Sequence, residues 1–441
     1  MQKLGEITLK ELWYMLFSVL IPFICVGGVT FFPYHLRFPL VMTVPVIAFL
    51  ISVANTKKIQ INLLSVVWFA IGVIICISCL YSYDKDITLR YGLVYVSSSF
   101  ILFLDYPEDI WEKVLKAINV FVIVIAVSIV VSVFINDLIA GKLWFITNPM
   151  RYQSFVTSTA NEIREGSYSG LAGEKANAAL TMNVGLGLLF AKFFSGTKLT
   201  KFDYAEFILV CAALILTGKR MLFLIPVAMF IIMMMVSQIK GKFVKFISIV
   251  VLAIIGVLIL SAFIPQMSNL YDRFFQDSNS KYYDPLTRRG DLWIYCFMMF
   301  EENPLFGLGY ATFNEYAFDH GYLRNGQKWN AFGHNCYYEL LGEVGIVGTV
   351  ILVGFMVFAI VMTVKYLRKK DLSQLHKILL MFSLYIQGMM LIYCLSANVF
   401  YQDGQIFLWF VAISILICVH RIYAKKKKVA VISDERMYIN E

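Results

Sequence analysis

The chain has 441 residues, of which 59% are hydrophobic and 15% charged, and its formal net charge is +9. A soluble domain holds roughly 45–50% apolar and about 25% charged residues, so an ordinary water-soluble globule is excluded and lipid is the expected solvent. The positive charge does not read as a nucleic-acid footprint, and no nucleic-acid partner is expected. Lys and Arg lie in short stretches between apolar runs and in the tail AKKKK, where topology explains them.

A helix needs about 20 apolar residues to cross about 30 Å of hydrocarbon. Runs bounded by charges or turn residues predict spans at 12–32, 38–54, 62–81, 91–105, 115–135, 174–195, 203–218, 220–237, 243–264, 337–364, 377–397 and 405–423. The N-terminal run follows a short charged lead and is not followed by a small-residue cleavage site, so it reads as a first span rather than a signal peptide. The expected fold class is an all-α integral membrane protein of about twelve transmembrane helices, a single polytopic domain over residues 1–441. The run at 91–105 is short and that at 174–195 opens with the polar GEKANAAL, which leaves the count open by one or two.

With both termini cytoplasmic, NTKKIQ, the KLTK segment, QIKGKFVK, KYLRKKDLSQLHK and the lysine tail all fall on the inner side, and only YPEDIWEK at 106–113 runs against the trend. Six cysteines (Cys25, Cys76, Cys79, Cys211, Cys394, Cys418) fall in apolar runs as small hydrophobes. The Cys76/Cys79 pair has CxxC spacing but lies mid-helix, without histidine or acidic neighbours. Cys296 and Cys336 lie in or beside one long loop, where an oxidising space would allow them to pair.

Two outer segments are long, at about 136–173 and 265–336, the second between spans nine and ten. Its aromatic content argues for order and function rather than for a simple connection. Within it, GDLWIYCFMMFEENP predicts an amphipathic helix along the membrane surface, with Leu292, Cys296 and Met299 on one side and Pro304 as its stop. In PLFGLGY, Gly307 and Gly309 mark tight turning. Gly342, Gly345 and Gly348 recur every three residues along span ten, a spacing that admits a close neighbour.

On this topology Arg220 at the turn between spans seven and eight, Arg288 and Arg289 at the start of the loop helix, and His334 before span ten share the outer face. Each alone has a plainer reading: arginine snorkels to headgroups, loop arginines are solvated, and a histidine at a helix entrance bonds exposed backbone. Together they suit one chemistry. Arginine forks match phosphate oxygens and neutralise a pyrophosphate, and an imidazole takes a proton from an attacking hydroxyl. Asp291, Glu301 and Glu302 lack metal-site spacing, and there is no DxD motif, P-loop or Rossmann fingerprint, so neither metal nor cofactor is expected. A flippase for lipid-linked sugars, the competing reading, needs charges lining a path through the membrane, and the spans carry almost none at mid-depth.

The stretch RRGDLWIYCFMMFEENPLFGLGYATF, followed by GHNCYYELLGEVGIVG, resembles the signature region of the O-antigen ligase and polymerase superfamily. The resemblance rests on Arg289, Trp293, Pro304, Gly307, Gly309, His334, Asn335, Glu343, Gly345 and Gly348. LTGKRMLFL is similar to the family's Thr-x-Ser-Arg turn, with Lys219 where serine is usual. Asn177 in GEKANAAL is a fainter likeness. The resemblance implies metal-independent, inverting transfer of glycan from an undecaprenyl-pyrophosphate donor to a glycan acceptor at the outer face of the bacterial inner membrane. His334 would be the base and Arg220 and Arg289 the pyrophosphate ligands, with Arg288 an alternative to Arg289. Polymerase and ligase share this chemistry. A polymerase of surface polysaccharide, O-antigen, capsule or exopolysaccharide, is the favoured expectation, a ligase to lipid A core the alternative, and a chain-length regulator an open partner.

Overall fold

The computed structural model describes residues 8–25, 34–136, 166–237, 289–322 and 332–439. Among them the chain is helical: α1 (Leu9–Cys25), α2 (Tyr34–Thr56), α3 (Leu63–Ser78), α4 (Lys85–Ser99), α5 (Glu108–Asn136), α6 (Lys175–Phe194), α7 (Lys201–Leu216), α8 (Arg220–Val236), α9 (Arg289–Glu302), α10 (Phe313–Asp319), α11 (Cys336–Leu367), α12 (Gln374–Tyr393) and α13 (Asp403–Ile439). Away from their ends, helices satisfy their backbone groups within the segment, which is what apolar sequence in lipid requires.

Eleven of the predicted spans coincide with α1–α8 and α11–α13, and the one at 243–264 lies outside the described residues. Six helices are long and apolar enough to cross a membrane: Phe38–Thr56, Glu108–Ile135, Lys175–Phe194, Cys336–Leu367, Gln374–Tyr393 and Asp403–Lys425. Leu63–Ser78 and Arg220–Val236 are apolar but shorter. The structure thus gives an all-α, multi-pass membrane protein, with fewer full-length crossings among the described residues than the twelve expected. The difference has a physical source at α4. Its serines (Ser97, Ser98, Ser99) are buried and its chain tightens into a 3-10 turn at Phe100–Phe103, so this segment is a 15-residue helix packed at its end, short of the about 20 residues a crossing needs.

The centre of the molecule is α6, α12 and α13, whose apolar windows are mostly enclosed by protein, whereas α2 and α11 leave most of theirs facing outward. Small residues allow the close packing. A Cβ on Gly187 of α6 would strike the Tyr385 ring of α12, and one on Gly92 of α4 would meet Cys76 Sγ of α3 at 2.6 Å.

Helix ends gather at two poles. At one, Arg421 on α13 bonds Asp105 at 2.6 Å and the Tyr106 carbonyl at 2.6 Å, His376 on α12 pairs with Glu108, and Gln374 donates to Thr197 Oγ1 at 2.7 Å. This pole holds NTKKIQ, KLTK and KYLRKKDLSQLHK. At the other, Tyr83 N donates to the Leu308 carbonyl at 2.8 Å, Thr88 Oγ1 donates to the Tyr310 carbonyl at 2.7 Å, and Cys336 N donates to the Cys394 carbonyl at 2.8 Å.

The described part of the 265–336 segment is folded onto this second pole. α9 buries Leu292, Cys296 and Met299, the stripe expected, against Phe313, Tyr316 and Ala317 of α10. Cys296 and Cys336 are both buried and both free thiols. Gly307 and Gly309 have φ of +68° and +112°, as the tight turn requires.

Span ten departs from the regular helix expected. Gly345 has φ +63° and breaks α11 in two. The segment after Pro304 lies along the break: Leu308 N donates to the Gly342 carbonyl (3.1 Å), Gly309 N to the Glu343 carbonyl (2.8 Å), Ile346 N to the Pro304 carbonyl (2.9 Å) and Val347 N to the Leu305 carbonyl (3.3 Å). Glycines at 342, 345 and 348 therefore play three parts. Gly342 admits α9, where a Cβ would lie 2.8 Å from the Cys296 carbonyl oxygen; Gly345 is the break itself; Gly348 packs against Val344 of its own helix.

Candidate active site

The site is built around the entrance to α11. Asn335 is the N-cap: with φ −151° and ψ 105°, its Oδ1 accepts from the backbone N–H of Tyr337 at 3.0 Å and of Tyr338 at 3.3 Å, satisfying donors that the first turn leaves open. His334, one residue earlier, stands at φ +51°, left-handed backbone that a non-glycine residue occupies at a cost of about 1–3 kcal/mol. Gly333 precedes it because a Cβ there would fall 2.9 Å from Glu339 Cγ and 3.0 Å from Cys296 Sγ. Each letter of GHN thus has a distinct local reason.

α9 supplies the second part. Trp293 Nε1 donates to the Gly333 carbonyl at 2.8 Å and its ring meets Tyr338 edge-on at 5.2 Å. Arg289 lies four residues earlier, one turn back on the same face of α9, so anchoring Trp293 on Gly333 sets Arg289 beside His334. The spacing of arginine, tryptophan and the GHN turn is therefore a geometric device.

The third part is the turn between α7 and α8, where Gly218 has φ +65° and Lys219 caps α8. Burial and the positive charges of Arg289 and Lys219 hold the His334 imidazole down at about 4, below its ordinary 6.5. Burial likewise lowers the pKa of the half-buried Arg289, whose charge also acts on Tyr393 at the end of α12. Tyr393 feels the carboxylate of Glu174, the N-cap of α6. Ends of α6, α8, α9, α11 and α12 thus meet around one neutral imidazole flanked by two cations.

Of the residues expected to act, His334 and Arg289 are brought together. Arg220 is the first residue of α8, with its side chain exposed, and the charge of its neighbour Lys219 acts on His334. Arg288 lies outside the described residues. Asn177 donates to Glu174 at 3.1 Å, at the edge of this cluster. Glu343 is fully buried, its two oxygens accepting from Ala311 N at 2.7 Å and Phe313 N at 3.0 Å, so it fastens α10 and the PLFGLGY turn rather than facing the imidazole. Lys219, Tyr393 and Glu174 were not singled out from sequence as site residues, although Lys219 stood out as the cation in place of a serine.

Residues 205–353 match a family model described as O-antigen ligase. That interval contains Lys219, Arg220, Arg289 and His334 and ends inside α11. No curated protein matches the chain.

Proposed function

We propose, from the match of residues 205–353 to the O-antigen ligase family model, that the chain is a member of the O-antigen ligase and polymerase superfamily and transfers glycan from an undecaprenyl-pyrophosphate donor to a sugar hydroxyl at the outer face of a bacterial inner membrane. One observation carries the reading: His334, held in a strained backbone conformation, is kept neutral by burial and by the charges of Arg289 and Lys219. A neutral imidazole accepts a proton, and two cations beside it suit an anion.

In the proposed reaction His334 removes the proton from the acceptor hydroxyl. The freed oxygen attacks the anomeric carbon, the bond from that carbon to the pyrophosphate oxygen breaks with inversion, and undecaprenyl pyrophosphate leaves. Arg289, Lys219 and Arg220 offset the charge gathering on the leaving group, which removes the need for a metal ion. The donor also tunes the base. Its negative charge counters the two cations, raising the imidazole's basicity once substrate is bound.

Transfer by a purified preparation in excess EDTA, compared between wild type and His334→Ala, tests this. The expected loss is about 10²–10⁴-fold for removal of a general base, with the variant present in the membrane at normal amounts. Near-normal transfer would remove His334 as the base, and a requirement for added Mg²⁺ would remove the cation-only account. Polymerase is the preferred form of the activity because it suits more kinds of envelope; the acceptor distinguishes it from ligase. The glycan profile of a deletion strain decides: a single repeat on the acceptor marks a lost polymerase, and full chains stranded on the lipid carrier mark a lost ligase.

A further inference from the structure

The strained turn that carries His334 is gripped from two directions by buried side chains that have no part in the chemistry proposed above. Glu339, one turn into α11, accepts the Gly333 N–H through Oε1 and the Asn398 amide through Oε2. Asn398, in the α12–α13 connection, turns its Oδ1 to the backbone N–H of His334 at 3.1 Å. Both side chains are buried, Glu339 to 1% and Asn398 to 5% exposure. The pattern is a closed relay: N–H of 333 to carboxylate, carboxylate to amide N–H, amide oxygen to N–H of 334. It fixes the two successive peptide groups that flank Gly333 and lead into His334, whose φ is +51°.

We propose that Glu339 and Asn398 form a clasp that positions His334, holding the imidazole at the angle from which it meets the acceptor hydroxyl; this rests on His334 being the base. A residue in left-handed backbone returns to the ordinary region when released, and that rotation swings its side chain away from Arg289 and Lys219. The clasp opposes the return with hydrogen bonds in a buried setting, where a donor or acceptor left unpaired loses its solvation without compensation. It also ties the base to the α12–α13 connection, so the geometry of His334 depends on a part of the chain about sixty residues away.

The relay has a direction, and this makes it testable. Glu339→Gln puts an amide where two donors need acceptors, so one N–H faces another. Asn398→Asp puts a carboxylate oxygen against the Glu339 carboxylate. The double substitution Glu339→Gln with Asn398→Asp restores complementarity with the pair's charge unchanged: the new amide oxygen accepts from Gly333 N, its N–H donates to the new carboxylate, and that carboxylate accepts from His334 N.

Transfer kinetics of the full-length protein with the lipid-linked donor, together with its amount in the membrane fraction, read out the proposal. Each single variant is expected to lose about 10- to 10²-fold in kcat, the scale of a misplaced catalytic group, with KM for the donor within about twofold. The double variant is expected to recover most of that loss. Single variants with normal kcat overturn the clasp, and so does a double variant no better than the worse single in amount or turnover. If the singles fail to accumulate, accumulation and turnover of the double variant support the clasp on their own. His334→Ala in parallel separates the two claims. A dead His334→Ala beside normal single variants sinks the clasp alone, whereas an active His334→Ala sinks the base and the clasp with it.

Discussion

His334 is where an unfavourable backbone, burial and like charge meet, and each has a measurable consequence. Its folded value of about 4 lies below the ordinary 6.5. The folded protein therefore resists protonating it, and the stability associated with the neutral ring is complete above 6.5 and is lost as pH falls from there towards 4. The kinetic consequence is sharper. kcat/KM follows the free enzyme and kcat the donor complex, so the acid limb of kcat/KM lies near pH 4, while that of kcat lies higher because bound pyrophosphate offsets Arg289 and Lys219. Arg289→Gln removes one of those charges from the free site and moves the kcat/KM limb upward. A kcat limb at lower pH than the kcat/KM limb would contradict the arrangement, and pH–rate profiles of wild type and Arg289→Gln measure both.

At the scale of elements, the decisive feature is the meeting of the PLFGLGY turn with the break in α11. Gly307 has φ +68°, and a Cβ on it would run into the Glu343 backbone. Gly307→Ala thus combines left-handed strain of about 1–3 kcal/mol with a similar overpacking cost, and it is expected to lower the unfolding temperature and abolish transfer. Gly354→Ala is the matched control, since Gly354 lies within α11 with nothing within 4 Å of a new Cβ. It is expected to be neutral or to stabilise by about 0.5–1 kcal/mol. Thermal unfolding in detergent distinguishes the two. The turn and the buried stripe of α9 were legible in the sequence, because glycine's backbone freedom and a helical repeat of apolar residues are local properties. The break at Gly345 was not. ELLGEVGIVGTVILVG reads as one continuous apolar run, and the groups that stabilise the break, the carbonyls of Pro304 and Leu305, come from some forty residues earlier.

At the scale of the whole molecule, the alternation of helix direction decided which residues could meet. Counting spans put the turn before α8, the start of α9 and the start of α11 on one face, and His334 and Arg289 were found together for that reason. Lys219 escaped because it reads as a departure from a small residue, and Tyr393 and Glu174 because the end of an apolar helix and a polar helix start carry no chemical signal of their own. The same alternation yields a prediction about sidedness. The pole with Asp105, Arg421, His376 and Lys370 gathers the basic connections, which the positive-inside rule assigns to the cytoplasm. On that rule the site pole is expected to face outward. Glu301 on α9 and Lys370 between α11 and α12 are both exposed and lie at opposite poles. In intact cells a membrane-impermeant maleimide is expected to label Glu301→Cys, and Lys370→Cys only after lysis. The native thiols give the wild-type background, five of the eight being buried. Labelling of Lys370→Cys in intact cells with Glu301→Cys protected until lysis would invert the molecule and place the imidazole on the cytoplasmic side, where an outer-face glycan transfer could not use it.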